Sequence, residues 1–438
     1  MLVLMSGGMN IIESFMFYQN ERMVDKCGWY AGCIIGAFIG AILCYRISTR
    51  ISLIAASSIV TLGGLISASD SDISFVTSSQ WLDGIGCGIA FVIIIAAGGE
   101  LALDYQRGRV LSMESLGLGT GILLYSVIRA VHDATEPPVD VLRSTNTFTM
   151  TQVQGVISIF LGLAAGASTY FCYDTPVSFL LRDSESQALQ SIQHFQNELA
   201  VSPFTYNMLE ECRLYIIEDR SRSFVENVLQ GSLPFAKLCI VRTFMSLTMA
   251  FPIVSSYYFA GTYGFQVSWC FLFFGLSRWI GNIIGHFILA DIVGRKKTLA
   301  GCSLIIGILF IVIGAMSNNL GTLEVSHMVT IGILILLANL FCGMVQNVST
   351  VYLSEAFSLS VKNPYIFAVL FVENLSVIIA YASFSKEFSH QENAVFYLVV
   401  GSFMIIISIM AVTVLPETKR LNLRQARTKF CDLIIFKF

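Results

Sequence analysis

The sequence predicts an all-α membrane protein of twelve transmembrane helices arranged as two six-helix halves. Three observations predict it. Of the 438 residues, 55% are hydrophobic and only 13% are charged, against about 25% charge in soluble domains. The apolar residues come in long runs, and about 20 helical residues cross a ~30 Å hydrocarbon core. Short charged motifs also recur half a chain apart. Glu100 and Arg107 stand seven positions apart at the end of an apolar run, and Glu355 and Lys362 do the same 255 residues later.

Taken in order, the apolar runs predict spans over 2–18, 28–45, 51–69, 79–102, 110–130 and 151–172. The second set covers 237–259, 266–289, 298–317, 327–352, 364–384 and 393–415. The first span is short and interrupted by Gly7, Gly8, Asn10 and Glu13. The expected organisation is a six-helix bundle over 1–181, a polar linker with short amphipathic helices over 182–236, a second bundle over 237–416 and a tail over 417–438. Lys and Arg test the orientation, because they are enriched in cytoplasmic loops. With the N-terminus inside, the inner segments hold Arg46, Arg50, Arg107, Arg109, Arg295, Lys296, Lys297, Lys362 and the basic tail. The outer loops hold only Arg22, Lys26, Arg129, Arg143 and Lys386. Both termini are therefore expected in the cytoplasm.

Glycines spaced by four predict close helix contacts in lipid: Gly32, Gly36 and Gly40; Gly84 and Gly88; Gly117 and Gly121; Gly281 and Gly285. Pro252, inside the seventh span, removes a backbone donor and predicts a kink. The eleven Cys show no spacing typical of disulfides or zinc, and the five His are scattered, so no metal and no cofactor are expected. A net charge of −3 implies no nucleic-acid partner. Membrane lipid is the expected surrounding.

The duplication goes further. Asp291-Ile-Val-Gly-Arg-Lys296 has a worn copy, Tyr45-Arg-Ile-Ser-Thr-Arg50, 246 residues earlier. Asp174-Thr-Pro176 and Pro416-Glu-Thr-Lys419 each follow the last span of a half. Internal repeats in an apolar chain are the mark of a secondary transporter. No phosphate-cradling loop is present, so ATP-driven transport is not expected, and nothing points to an enzyme. Charges at the ends of both halves suit a gate: Glu100, Arg107, Asp291, Arg295, Lys296, Glu355 and Lys362. Polar residues inside spans are functional candidates. They include Glu13, Asp83, Glu114, Arg278, His286 and Glu373, with Glu13 as a candidate proton site.

These motifs resemble the sugar porter family of the major facilitator superfamily over nearly the whole chain, and within it the insect facilitated trehalose transporters. Asp291 to Lys296 resembles the family's D-x-x-G-R-[RK] loop, and Glu100 to Gly108 its E-x6-R-G segment. Asp174-Thr-Pro176 resembles P-E-[ST]-P, Ser354-Glu-Ala-Phe357 with Lys362 resembles S-E-x-F-P-x-x-x-R, and Pro416 to Lys419 matches P-E-T-K. The resemblance implies the major facilitator fold and carriage of a trehalose- or hexose-class sugar by alternating access, facilitative in mode, in the plasma membrane. It also implies sugar contacts from Asn374 and Tyr257, with Gln346 and Asn347 beside an altered aromatic position.

The chain departs from the family where sugar is bound. Ser246-Leu-Thr-Met-Ala-Phe-Pro252 stands for Q-Q-x-S-G-I-N, Gln346 to Thr350 for G-P-x-P-W and Ser115 for a Gln; the chain also has Gln80 for an Arg before Gly84. Two alternatives stay open: a carrier of another small solute, with or without a coupled proton, and, on the worn Tyr45 to Arg50 loop, a sensor that kept the fold without transport.

Overall fold

The computed structural model describes all residues except 17–22, 71, 136–146, 197–201, 266–268, 319–324, 385–389 and 432–438. The described residues form helices and connecting turns, with no strand among them. The first half comprises α1 (Leu2–Met16), α2 (Met23–Arg46), α3 (Thr49–Ser69), α4 (Ile73–Leu101), α5 (Arg107–Thr135) and α6 (Thr147–Ser168). Three short helices follow: α7 (Pro176–Leu181), α8 (Glu185–Gln196) and α9 (Pro203–Arg220). The second half comprises α10 (Phe224–Leu247), α11 (Phe251–Phe259), α12 (Phe271–Ile284), α13 (Arg295–Asn318), α14 (Val325–Glu355), α15 (Lys362–Phe384) and α16 (His390–Thr413), and α17 (Leu423–Cys431) lies in the tail.

Eleven helical stretches, with α10 and α11 joined as one, are long and apolar enough to cross a membrane. The twelfth helix of the fold is α1. It is 15 residues long and buries Leu4, Met9 and Ile12 completely.

Differences from the sequence expectation lie at helix ends. α4 starts at Ile73, earlier than 79, and α10 starts at Phe224, within the stretch expected to be linker. A capping box explains the second start. Ser223 Oγ accepts from Glu226 N at 3.2 Å, and Glu226 returns a carboxylate to Ser223 N at 2.9 Å, which satisfies donors that a helix start leaves orphaned. Pro252 does break the seventh span. Thr248, Met249 and Ala250 form a turn, and Pro252 occupies the first turn of α11, where its missing N–H leaves no bond unmade.

The glycine rows pack reciprocally. A Cβ on Gly32 or Gly36 would run into the carbonyls of Trp81 and Ile85 on α4, and one on Gly84 or Gly88 into those of Trp29 and Cys33 on α2. Gly8 on α1 meets Gly121 on α5 in the same way, and Gly281 on α12 meets Gly343 on α14. Between the halves, α2 packs on α15, and α5 on α12 and α14.

The repeat is also geometric. Asp174 Oδ1 accepts from Thr49 N at 2.8 Å, capping the start of α3. In the second half, the Glu417 carboxylate accepts from Arg295 N and Lys296 N, both at 3.1 Å, capping the start of α13. The motif after the last helix of each half thus caps the third helix of that half, where a carboxylate also suits the helix dipole.

Candidate transport pathway

At the end of the bundle that carries α7–α9, charged side chains from both halves meet. The pairs are not those of the linear motifs. Arg107 Nη1 donates to Glu355 Oε1 at 3.2 Å, across the two halves, and to Leu421 O at 2.8 Å. Lys362 Nζ donates to Glu100 Oε1 at 3.1 Å and to Ala96 O at 2.8 Å, again across the halves. The repeated motifs exchange partners. Each acid meets the base of the other half's motif. Seven positions separate the members of each motif, so the acid ends one helix and the base opens the next.

Glu355 takes a second base. Arg295 Nη1 donates to its Oε1 at 2.6 Å and to Thr418 Oγ1 at 2.7 Å. Arg295 and Glu355 are both fully buried. Tyr45 Oη adds a bond to Ser360 O at 2.9 Å. Lys296 contributes its backbone N–H, and its side chain forms no ion pair among the described residues. The side chain of Asp291 lies outside the described residues.

Below this layer, a cavity of about 70 Å³ lies between the halves, lined by α1, α2, α4 and α5 on one side and α10, α12, α14 and α15 on the other. Ligand pockets span roughly 300–1,000 Å³, so the cavity must widen to hold a sugar. Asn374 and Gln346 line it. Asn374 Nδ2 is engaged by Leu370 O at 2.8 Å, which leaves its carbonyl oxygen for other donors. Tyr257 and Asn347 are not among the lining residues. The Tyr257 hydroxyl donates to Cys270 O at 2.8 Å, and Asn347 Nδ2 to Asn282 O at 3.1 Å, so both tie helices together.

Four charged residues line the same cavity: Glu114, Arg242, Arg278 and Glu373. Arg242 Nε donates to Glu373 Oε2 at 2.8 Å, and its Nη1 to Thr350 Oγ1 at 3.0 Å, while Glu114 stands 3.8 Å from Nη2. Thr350 also donates to Glu114 Oε2. Arg278 faces the cavity, with no aromatic ring stacked on it among the described contacts, and bonds Gln346 Oε1 at 2.6 Å. Sequence reasoning missed Arg242. Its signal was an Arg inside the run 237–259, five positions from the start of that expected span.

Glu13 lies in the first half, apart from that cluster. Gln80 Nε2 and Gln154 Nε2 donate to its Oε2 at 3.3 and 3.1 Å. Nearby, Asp83 accepts from Ser6 at 2.6 Å and Asn10 at 2.7 Å. His286 stands outside both clusters, its Nδ1 2.6 Å from Ser112 Oγ.

The profile of the family described as "Sugar (and other) transporter" matches residues 27–430. The chain belongs to this family. It is a multi-pass membrane carrier of the major facilitator fold and no enzyme. A comparison with curated protein sequences finds no match. Among solved structures, the carrier is similar to the proton:xylose symporter XylE bound to 6-bromo-6-deoxy-D-glucose. The identity is 17%, with 98% of this chain and 97% of that chain covered, at a TM-score of 0.77. The inward open conformation of XylE from E. coli matches at 15% identity, with 98% of both chains covered and a TM-score of 0.65.

Proposed function

We propose that this carrier moves a hexose-class sugar across the plasma membrane by alternating access, binding it in the cavity between the halves. The observation that carries the reading is the exchange of partners: Arg107 with Glu355 and Lys362 with Glu100 tie the two halves together at the linker end. Such pairs hold the end with the linker shut and must separate when the carrier opens that way. Arg295 stiffens the acceptor Glu355. The concentration of Lys and Arg at this end supports a cytoplasmic position for it, with both termini there. Asn374 and Gln346 are the amide contacts of the site, suited to sugar hydroxyls as both donors and acceptors. A hexose fits the reading better than trehalose, because the present cavity must widen less for it. Carriage down the gradient needs no further component.

A second reading adds a proton, and one observation favours it. Glu13 and Asp83 are buried, at 3% and 1% exposure, with amides, hydroxyls and the Cys87 thiol as their partners and no cation within ion-pair distance among the described residues. A buried carboxylate without a counter-charge invites a proton.

Uptake of radiolabelled glucose and trehalose into proteoliposomes tests the proposal, with Asn374→Ala as the control. Saturable glucose uptake that the variant loses supports it, and absence of any sugar uptake by folded protein overturns it. Uptake that persists when a protonophore collapses the gradient supports the facilitative mode. Uptake that stops, together with gradient-insensitive exchange in Glu13→Gln, supports the coupled one.

A further inference from the structure

The four charges of the central cavity are unequally matched. Arg242 has two carboxylates, Glu373 at 2.8 Å and Glu114 at 3.8 Å. Arg278 has none within ion-pair distance among the described residues. Its guanidinium meets only neutral acceptors, Gln346 Oε1 at 2.6 Å and Asn339 Oδ1 at 3.4 Å, and its Nε has no hydrogen-bond partner. Yet Arg278 is only 3% exposed and lies on α12 within an apolar bundle. A cation buried in membrane without a counter-charge is strongly unfavourable, so one that persists marks a functional position.

A second atom in the same cavity is also unmatched. Glu114 Oε1 has no hydrogen-bond partner, although Arg242 already lies close enough to offset the charge of its carboxylate. The cavity therefore offers an unused positively charged N–H on the α12 side and an unused acceptor oxygen on the α5 side. A neutral sugar satisfies the acceptor with a hydroxyl and leaves the guanidinium uncompensated. A solute with both a carboxylate and hydroxyls satisfies both. Arginine is the side chain best shaped for a carboxylate, which it binds through two parallel N–H bonds. An ammonium on the solute is disfavoured at Glu114, because Arg242 stands beside it.

We propose that the solute is a hydroxy acid of the sugar-acid class, with its carboxylate held by Arg278 and a hydroxyl donated to Glu114. The inference rests on the reading of the central cavity as the transport site. It departs from a neutral hexose in the charge of the solute.

The test is uptake of radiolabelled D-glucuronate, D-glucose and lactate by the full chain in proteoliposomes, for the unaltered protein, Arg278→Gln and Arg278→Lys. Folding of each variant is checked by gel filtration, and a glucuronate-dependent rise in melting temperature of the detergent-purified protein, with glucose as control, gives a readout independent of the variants. The expected result is saturable glucuronate uptake that falls at least tenfold in Arg278→Gln and less in Arg278→Lys. Glucose uptake equal in all three proteins, without glucuronate uptake, overturns the acid and leaves sugar carriage standing. Lactate uptake lost in Arg278→Gln, with neither sugar carried, upholds the carboxylate contact and overturns the sugar. Glucuronate uptake unchanged in Arg278→Gln overturns the role of Arg278. No uptake of any of the three and no thermal shift overturn both readings.

Discussion

At Gly294 two demands coincide on one residue. Its φ of +107° is unfavourable for a residue with a Cβ, and an added Cβ would sit 2.7 Å from Glu417 Oε2, the carboxylate that caps α13. Gly294→Ala should lower stability by more than ~1 kcal/mol, read as a fall in melting temperature in detergent. Gly301, on the same helix α13, has nothing within 4 Å of its would-be Cβ. Gly301→Ala should therefore raise stability by roughly 0.5–1 kcal/mol. Equal effects of the two would show that neither the turn nor the cap matters. Cys212, on α9 beside the inter-half pairs, offers a chemical check on the same region. Burial, with Glu100 next, pushes its thiol up to about 12, so the reactive thiolate is scarce at neutral pH. Its alkylation by iodoacetamide should be slow at pH 7 and keep accelerating up to about pH 12. A plateau near pH 9 would contradict that environment.

Helices were legible in the sequence because span length and glycine spacing depend on local pattern alone. The rows Gly32, Gly36 and Gly84, Gly88 were readable as contact faces, though nothing in the pattern said that they meet one another. That pairing fixes the distance between α2 and α4. Gly84→Val should press on the Trp29 carbonyl and cost at least ~1–3 kcal/mol, seen as lost monodisperse protein or a lower melting temperature. An unchanged melting temperature would mean that the two helices can move apart freely. Other features were hidden for physical reasons. The start of α10 depends on a capping box rather than on hydropathy, so a polar stretch concealed it. Arg242 was masked by its apolar neighbours, and its role appears only when α10 is set against α14 and α15. The resemblance named Asn374 and Tyr257, with Gln346 and Asn347 beside an altered position; Asn374 and Gln346 line the cavity, whereas the polar groups of Tyr257 and Asn347 tie helices together.

Across the whole molecule, the two halves repeat their motifs unequally, and the inequality has an energetic consequence. Glu355 receives Arg107 from the other half and Arg295 from its own, whereas Glu100 receives Lys362. The worn loop of the first half explains the difference, for Thr49 stands where the second half has Arg295. Removing one partner of a buried pair costs about 3–5 kcal/mol. Inverting a two-state equilibrium from 1:99 to 99:1 takes about 5.5 kcal/mol, so a single loss at Glu355 is nearly enough to open the closed end. Glu355→Gln should therefore shift the population toward a state open at the linker end, and Glu100→Gln should do so less, because its side chain is 10% exposed and screened more by water. Electron-resonance distances between spin labels at Arg46 and Lys297, in an otherwise cysteine-free chain, report the separation of the halves. Glu355→Gln should populate the longer distance most, Glu100→Gln should fall between it and the unaltered chain, and Asp104→Asn, at a half-exposed partner of Arg107, should change little. Equal shifts in the first two variants would mean that the second base on Glu355 adds nothing to closure, and no shift in either would separate these pairs from gating altogether.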